Sequence, residues 1–202
     1  MWHVKDATPK IYRFVLIDLL LFCLLIAWSL TGLTQERQKT QKIDASAMGT
    51  STQLGQNVQV SLYIYDYSTE DDRQILIEAF EKGKNQGLVN ALERMKAVGR
   101  IAISGTIGYD VSYIRLIPTP TGRKIRFVTN RPLHFGETYY NTLTVDYNLT
   151  GGELNLNDKD KDMSTGVLYP AAKLRLDKDN QLSLDLNQNP WKLVNIIDWA
   201  NK

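Results

Sequence analysis

The sequence predicts an α+β fold, in which two short helices pack on one side of an antiparallel β-sheet that forms a meander or a curled, barrel-like sheet. Three observations lead to this prediction. Apolar and polar residues alternate over many short runs between residues 57 and 197, as in strands with one buried face. Turn-forming residues separate the runs by short connections, which join antiparallel neighbours. After the first run, apolar residues recur at helical spacing.

The first 34 residues differ from the rest and predict an N-terminal apolar helix. A basic start is followed by a continuous apolar run from Leu19 to Trp28, and then by small and polar residues. This order is typical of an export signal, with cleavage expected before Gln35. Counted from Phe14, the apolar span is about 20 residues, enough for a retained membrane anchor, although Asp18 lies within it. In that case residues 14–34 would associate the protein with a membrane.

Both alternatives predict an extracytoplasmic protein of the periplasm or envelope, because the positive flank precedes the apolar run. Residues 35–56 are rich in Gln, Thr, Ser and Gly without sustained periodicity, so they predict a polar leader or linker. Residues 57–202 are then a single extracytoplasmic domain. The chain's one cysteine, Cys23, lies in the apolar run, so the domain has no disulfide. This favours a bacterial envelope.

Charge and motifs exclude several classes of function. The chain has 24 Lys and Arg against 22 Asp and Glu, with no block of one sign, which indicates that it does not bind nucleic acid. The acids of Asp158–Asp162 alternate as in a calcium loop, but Met163 and Tyr169 stand where that loop needs Gly and Glu. We therefore expect a solvated turn there, no metal site and no cofactor.

Two helices are predicted between residues 68 and 99. The first begins at Ser68-Thr69-Glu70-Asp71, where a hydroxyl cap precedes acids that suit the helix dipole. Its buried stripe is Ile75, Leu76, Ala79 and Phe80. Residues 82–85, Lys-Gly-Lys-Asn, are expected to end it, and a second helix carries Leu88, Val89, Ala91, Leu92 and Met95.

Nine strands are predicted, and two of them form a central hairpin. The runs 110–117 and 123–129 flank the turn Pro118-Thr-Pro-Thr-Gly122. The second run continues through Pro132 to Glu137, so that basic residues, a turn and a histidine converge. The predicted strands are 57–67, 100–104, 110–117, 123–129, 141–149, 152–157, 166–176, 181–187 and 191–197.

Several short motifs are distributed through the strand-rich part of the chain. They are Val98-Gly99-Arg100-Ile101, Gly108-Tyr109-Asp110, and Thr129-Asn130-Arg131-Pro132 followed by Phe135 and Glu137. In these residues, over about 57–197, the chain resembles a family of small exported bacterial proteins with no assigned biochemical function. Asn130 stands where the family usually has Asp. The resemblance implies an exported single domain and carries over no catalytic residue.

Three arginines and a tyrosine on or near the central hairpin are the candidate ligand-binding residues. A guanidinium matches the geometry of a carboxylate or phosphate, so Arg115, Arg126 and Arg131 could together form an anion pocket. Tyr113 is one of several tyrosines on the predicted strands, and an aromatic ring on a sheet face can stack against a ligand. The competing interpretation is structural: Arg131 braces the turn, and the tyrosines pack cross-strand.

A catalytic site is the alternative. His134 is the only histidine outside the N-terminal segment, and Glu137 or Asp146 could be its carboxylate partner in a general base. The sequence has no nucleophile elbow and no HExxH motif, so no catalytic residue is assigned.

The sequence therefore favours a non-enzymatic binding or accessory domain of the cell envelope. Its partner would be an unknown protein or small ligand, bound at a cleft near residues 110–137. Two alternatives stay open: a single-span membrane-anchored accessory subunit of a larger complex, and a hydrolase-type enzyme using His134 with a carboxylate.

Overall fold

The computed structural model describes residues 40–133, 146–176 and 182–201. Ten antiparallel strands form one sheet, and one α-helix, α1 (Glu70–Arg94), connects β2 to β3. The strands are β1 (Gln41–Met48), β2 (Asn57–Ile64), β3 (Gly99–Ile103), β4 (Tyr109–Val111), β5 (Tyr113–Thr119), β6 (Gly122–Thr129), β7 (Leu149–Asn157), β8 (Thr165–Leu176), β9 (Leu182–Leu186) and β10 (Trp191–Asp198). Short 3-10 helices cover Ser51–Gln53, Lys161–Met163 and Trp199–Asn201.

The sheet curls until its two ends nearly meet. Its strand order is β4-β3-β2-β1-β10-β8-β7-β6-β5, and β9 pairs with the second half of β8. The end strands β4 and β5 are consecutive in the chain and are joined by Ser112 alone. Since a single residue cannot span an open sheet of this width, the sheet must be barrel-like and nearly closed.

The prediction of an α+β fold with two short helices is wrong. The described chain is mostly antiparallel strand, and one helix runs from Glu70 to Arg94. The residues expected to end the first helix instead kink it: Lys84 has φ 51° and ψ −143°, and the helix continues beyond it. Both halves present apolar side chains to the same surface, since Leu76, Phe80 and Leu92 belong to one buried cluster.

The main core fills the inside of the curled sheet. Alternate residues of most strands point inward, and among the described residues the largest fully buried side chain is Trp191 of β10. A second apolar cluster lies on the outer face, where α1 packs against residues that include Leu149 of β7 and Leu174 of β8. The sheet is therefore solvent-shielded on both faces where the helix covers it.

The central hairpin is confirmed. β5 and β6 pair from Tyr113 opposite Val128 to Thr119 opposite Gly122, which is the predicted strand pair. The turn is tighter than predicted, because the strands extend to Thr119 and from Gly122. Ser112 divides the predicted strand 110–117 into two. The first part belongs to β4, at one end of the sheet, and the remainder belongs to β5, at the other end.

Strand β1 lies within the stretch that the sequence analysis assigns to a polar leader. It pairs with β2 along its whole length and with β10 on its other side. Ile43, Ala45 and Ala47 are its buried apolar residues. Because alanine has little preference for strands, this alternation is a weak signal in the sequence.

The N-terminus of α1 is fixed both locally and to the sheet. Thr69 and Asp72 form a capping box, each side chain accepting the other's backbone N–H. Ser68 donates its backbone N–H to the Ile114 carbonyl at 2.8 Å, and its hydroxyl oxygen accepts the Ile114 N–H at 3.0 Å. The helix therefore starts directly on β5.

Within the described ranges, α1 is the only α-helix, and no helix there is long and apolar enough to cross a membrane. The predicted export or anchor segment, residues 1–34, lies outside the described residues. So does most of the predicted strand 141–149.

Candidate functional site

A groove of about 590 Å³ lies between the first half of α1 and the outer face of β5 to β9. Its walls are mainly apolar. The helix contributes Leu76, Ile77 and Phe80, and the sheet contributes Val128, Leu174 and Leu184. The second cluster fills only part of the space under the helix, and the remainder is open to solvent.

Two attachments hold α1 over this groove. The first is the Ser68–Ile114 pair on β5. The second is at the kink, where the Asn85 Oδ1 atom accepts the backbone N–H of Leu174 on β8 at 2.8 Å, and the Asn85 Nδ2 atom donates to the Asn148 Oδ1 atom at 2.8 Å. The helix segment between these points crosses the sheet from β5 to β8, and the groove runs beneath it.

The floor of the groove is open because Gly151 has no side chain. Gly151 lies on β7, and a Cβ atom placed there would have its nearest heavy atoms at 3.8 Å (the Phe127 carbonyl oxygen) and 4.0 Å (the Tyr169 ring). These are ordinary van der Waals distances, so a side chain would be accommodated by the backbone and would project into the groove.

Three of the five charged residues that line the groove, Arg73, Arg115 and Arg126, lie at the end near β5. Arg115 on β5 is directly opposite Arg126 on β6, and both line the groove. On the helix side, Glu70 lies between two of the arginines: its Oε1 atom is 2.5 Å from the Arg73 Nη1 atom, and its Oε2 atom is 3.6 Å from the Arg115 Nη2 atom. Arg126 pairs with Glu153 at 2.6 Å.

Burial and neighbouring charges shift the pKa values of two side chains at the β5 end of the groove, Tyr113 and Glu153. It raises the pKa of the Tyr113 phenol, and the Arg115 and Arg73 guanidinium groups offset part of the rise. For Glu153, burial alone would raise the pKa, but hydrogen bonds from Lys124 and Arg126 outweigh it and hold that pKa below its usual range. At neutral pH the phenol is therefore neutral, and the Glu153 carboxylate is ionised.

The structure brings together three of the four predicted ligand-binding residues. Tyr113, Arg115 and Arg126 all line the groove. Arg131 lies apart from them, on a polar pocket of about 420 Å³ beside β4. It braces the turn after β6 through its backbone: its carbonyl accepts the hydroxyls of Thr129 and Thr150 at 2.7 and 2.8 Å.

Of the predicted catalytic candidates, Asp146 alone is among the described residues. His134 and Glu137 lie outside the described ranges. Asp146 is exposed, 4.0 Å from the Lys173 Nζ atom. Within the described ranges, no three His, Cys, Asp or Glu side chains are grouped so as to hold a metal ion.

The helix side of the groove was not assigned to the site from the sequence. Leu76 and Phe80 were predicted as buried core, and Arg73 received no role. A usable signal does exist, because Arg73, Leu76, Ile77 and Phe80 recur at helical spacing and therefore share one face. Their position opposite Arg115 depends on which face of the sheet the helix covers.

The attachment at Asn85 can be tested by substitution. Asn85→Ala is expected to lower the free energy of unfolding by about 1–2 kcal/mol, because the Leu174 N–H loses its acceptor in a half-buried position. Urea denaturation of both proteins measures this. Asn90→Ala on the exposed side of the same helix is the control and should change stability by less than about 0.5 kcal/mol. Equal effects of the two substitutions would contradict the attachment.

Comparisons of the chain with protein-family models, with curated proteins and with solved structures found no match.

Proposed function

We propose that this protein is an exported, non-enzymatic binding module of the cell envelope, which holds an apolar ligand in the groove under α1. The observation that carries the proposal is the groove itself, which is open to solvent and largely apolar and lies between α1 and the outer face of the sheet. Its volume falls within the range of about 300–1,000 Å³ that is usual for small-molecule sites.

Two further features support a binding role. Leu184 of β9 and Leu176 of β8 are 45% and 37% exposed and line the same groove, so apolar surface is left in water where a ligand could cover it. The groove also has a few polar groups, most of them at the β5 end, an arrangement that orients ligands in apolar pockets. The extracytoplasmic location rests on the N-terminal sequence and on the resemblance to exported bacterial proteins.

Filling the groove tests the proposal. We expect the purified protein to bind the neutral fluorescent probe N-phenylnaphthylamine, and Gly151→Leu to weaken this binding by at least about tenfold, because the leucine side chain would occupy the floor of the groove. Fluorescence titration of the two proteins measures the change. The stability of Gly151→Leu should equal or exceed that of the parent, since glycine is unfavourable in strands.

The matched control is Gly83→Leu. Gly83 lies on α1 with no atom within 4 Å of an added Cβ, and it does not line the groove. This variant should bind the probe as the parent does. If the parent does not bind the probe, or if both leucine variants bind it equally well, the groove is not the binding site and the proposal fails.

A further inference from the structure

We infer, on the basis of the proposed groove function, that the ligand is a single-chain amphiphile with a carboxylate headgroup, which Arg115 and its neighbours hold at the β5 end while the acyl chain lies along the groove. The distribution of charge and apolar surface within the groove leads to this inference.

The β5 end has an excess of positive charge. Arg73, Arg115, Arg126 and Lys124 are grouped there around two carboxylates, Glu70 and Glu153. Glu153 is engaged by Lys124 and Arg126 together, and Glu70 by the other two arginines. Among the described residues of this cluster, four cations thus face two anions, and one further carboxylate would bring the charges closer to balance.

Arg115 is the member best placed to take that carboxylate. It lines the groove and is 40% exposed, and its distance of 3.6 Å from Glu70 is too long for a hydrogen bond. A guanidinium has five donors in a planar fork that matches a carboxylate. The neutral phenol of Tyr113 adjoins it on the same strand and could donate a further hydrogen bond.

The pairing of β5 with β6 holds Arg115 directly opposite Arg126. Like charges at such cross-strand positions are destabilising. Arg126 is offset by Glu153, its partner on β7, whereas the Arg115 guanidinium lies 3.6 Å from Glu70, beyond hydrogen-bond distance. An anion bound between Arg115 and α1 would offset the remaining repulsion.

The remainder of the groove suits an alkyl chain. From the charged end, the lining continues through Phe80 and Val128 to Leu174 and Leu184 on the β8–β9 hairpin. The two charged residues elsewhere in the lining, Glu81 and Lys84, lie on α1 about two to three turns beyond Arg73, away from the arginine cluster, and the Lys84 Nζ atom lies 5.9 Å from the Phe80 ring centroid. A carboxylate at the β5 end would therefore have its tail on leucine and phenylalanine side chains.

The experiment compares three ligands of equal chain length as competitors of bound N-phenylnaphthylamine: dodecanoate, dodecanol and dodecyltrimethylammonium. We expect dodecanoate to bind about tenfold more tightly than dodecanol and the cation to bind most weakly, the difference reflecting one charge-assisted contact. Arg115→Gln should remove most of the preference for dodecanoate without altering the affinity for dodecanol. Arg94→Gln, which removes an exposed arginine that does not line the groove, should leave the preference unchanged.

The outcomes separate this inference from the proposed function. If the probe binds but dodecanoate and dodecanol compete equally, the groove is a site for neutral apolar ligands and the carboxylate inference is overturned. If Arg94→Gln reduces the preference as much as Arg115→Gln does, general electrostatic attraction accounts for it, and the specific role of Arg115 is refuted. If the probe itself does not bind, the proposed function fails first.

Discussion

Replacing Trp191 by alanine is expected to lower the free energy of unfolding by about 3–5 kcal/mol, the usual cost of removing a fully buried tryptophan. Trp191 is 0% exposed and belongs to the core inside the curled sheet. It lies on β10, opposite Leu168 of β8, so its indole ring packs where the last strand joins the earlier ones. Alanine would leave a cavity in the part of the core that holds these strands together.

This change is a large fraction of the 5–15 kcal/mol that stabilises a typical domain, so the alanine variant could unfold outright. Trp191→Phe keeps an aromatic ring, so it should retain most of the unfolding free energy that the alanine variant loses. The control is Leu54→Ala, because Leu54 is 82% exposed and its truncation should cost less than about 0.5 kcal/mol. Thermal and urea denaturation measure the stability of the Trp191→Ala, Trp191→Phe and Leu54→Ala variants. A loss at Trp191 no larger than that at Leu54 would show that the core has been placed wrongly.

The second large effect is expected at Gly99, where β3 lies close to a side chain of β5 and to the backbone of β2. Gly99 lies on β3, and a Cβ atom there would be 2.5 Å from the Cδ1 atom of Ile114 on β5 and 2.5 Å from the carbonyl oxygen of Tyr63 on β2. Both distances are far below van der Waals contact. The end of the Ile114 side chain can turn aside in part, but the Tyr63 carbonyl is backbone of the strand paired with β3, so Gly99→Ala should distort this pairing and cost about 3 kcal/mol of unfolding free energy.

A double mutant identifies the cause. Ile114→Val removes the Cδ1 atom, so the pair Gly99→Ala and Ile114→Val should lose less stability than the sum of the single changes, by about 1 kcal/mol. Rescue should be partial, because the Tyr63 carbonyl remains. Gly83→Ala, at an exposed position of α1, is the control and should stabilise the protein, since alanine is the better helix former. If the losses of unfolding free energy at positions 99 and 114 are strictly additive, the close contact between these residues is contradicted.

Strands with large apolar residues on one face could be predicted from the sequence. In β2 and β6 the alternation of residues such as Val60, Leu62, Ile125 and Phe127 marks the buried face directly, and the structure has these strands within a few residues of the predicted bounds. β1 could not be recognised in the same way, since two of its three buried apolar positions are alanine. The number of helices was wrong because a residue with positive φ, Lys84, can kink a helix without ending it.

The sequence could predict the part of the candidate site that lies on the sheet. The turn of a hairpin fixes its register, so Arg115 and Arg126 could be assigned to one surface from the sequence. Arg131 follows the end of β6, where alternation no longer determines direction, and the structure has it on a different pocket. The helix side depends on packing: Ile75, predicted as buried, is 52% exposed, whereas Leu76 beside it is buried.

The pairing of β1 with β10 determines when this sheet can form. Ile43 pairs with Asp198, so the strand made first cannot complete its hydrogen bonds until the last one has been synthesised. Contacts between such distant residues slow folding, because a long loop must close before they contribute any stability. Until then β1 and β8 each present an unpaired edge to other chains. A nascent chain of this protein therefore passes through a period in which it is prone to aggregate, and that period ends when β10 enters the sheet.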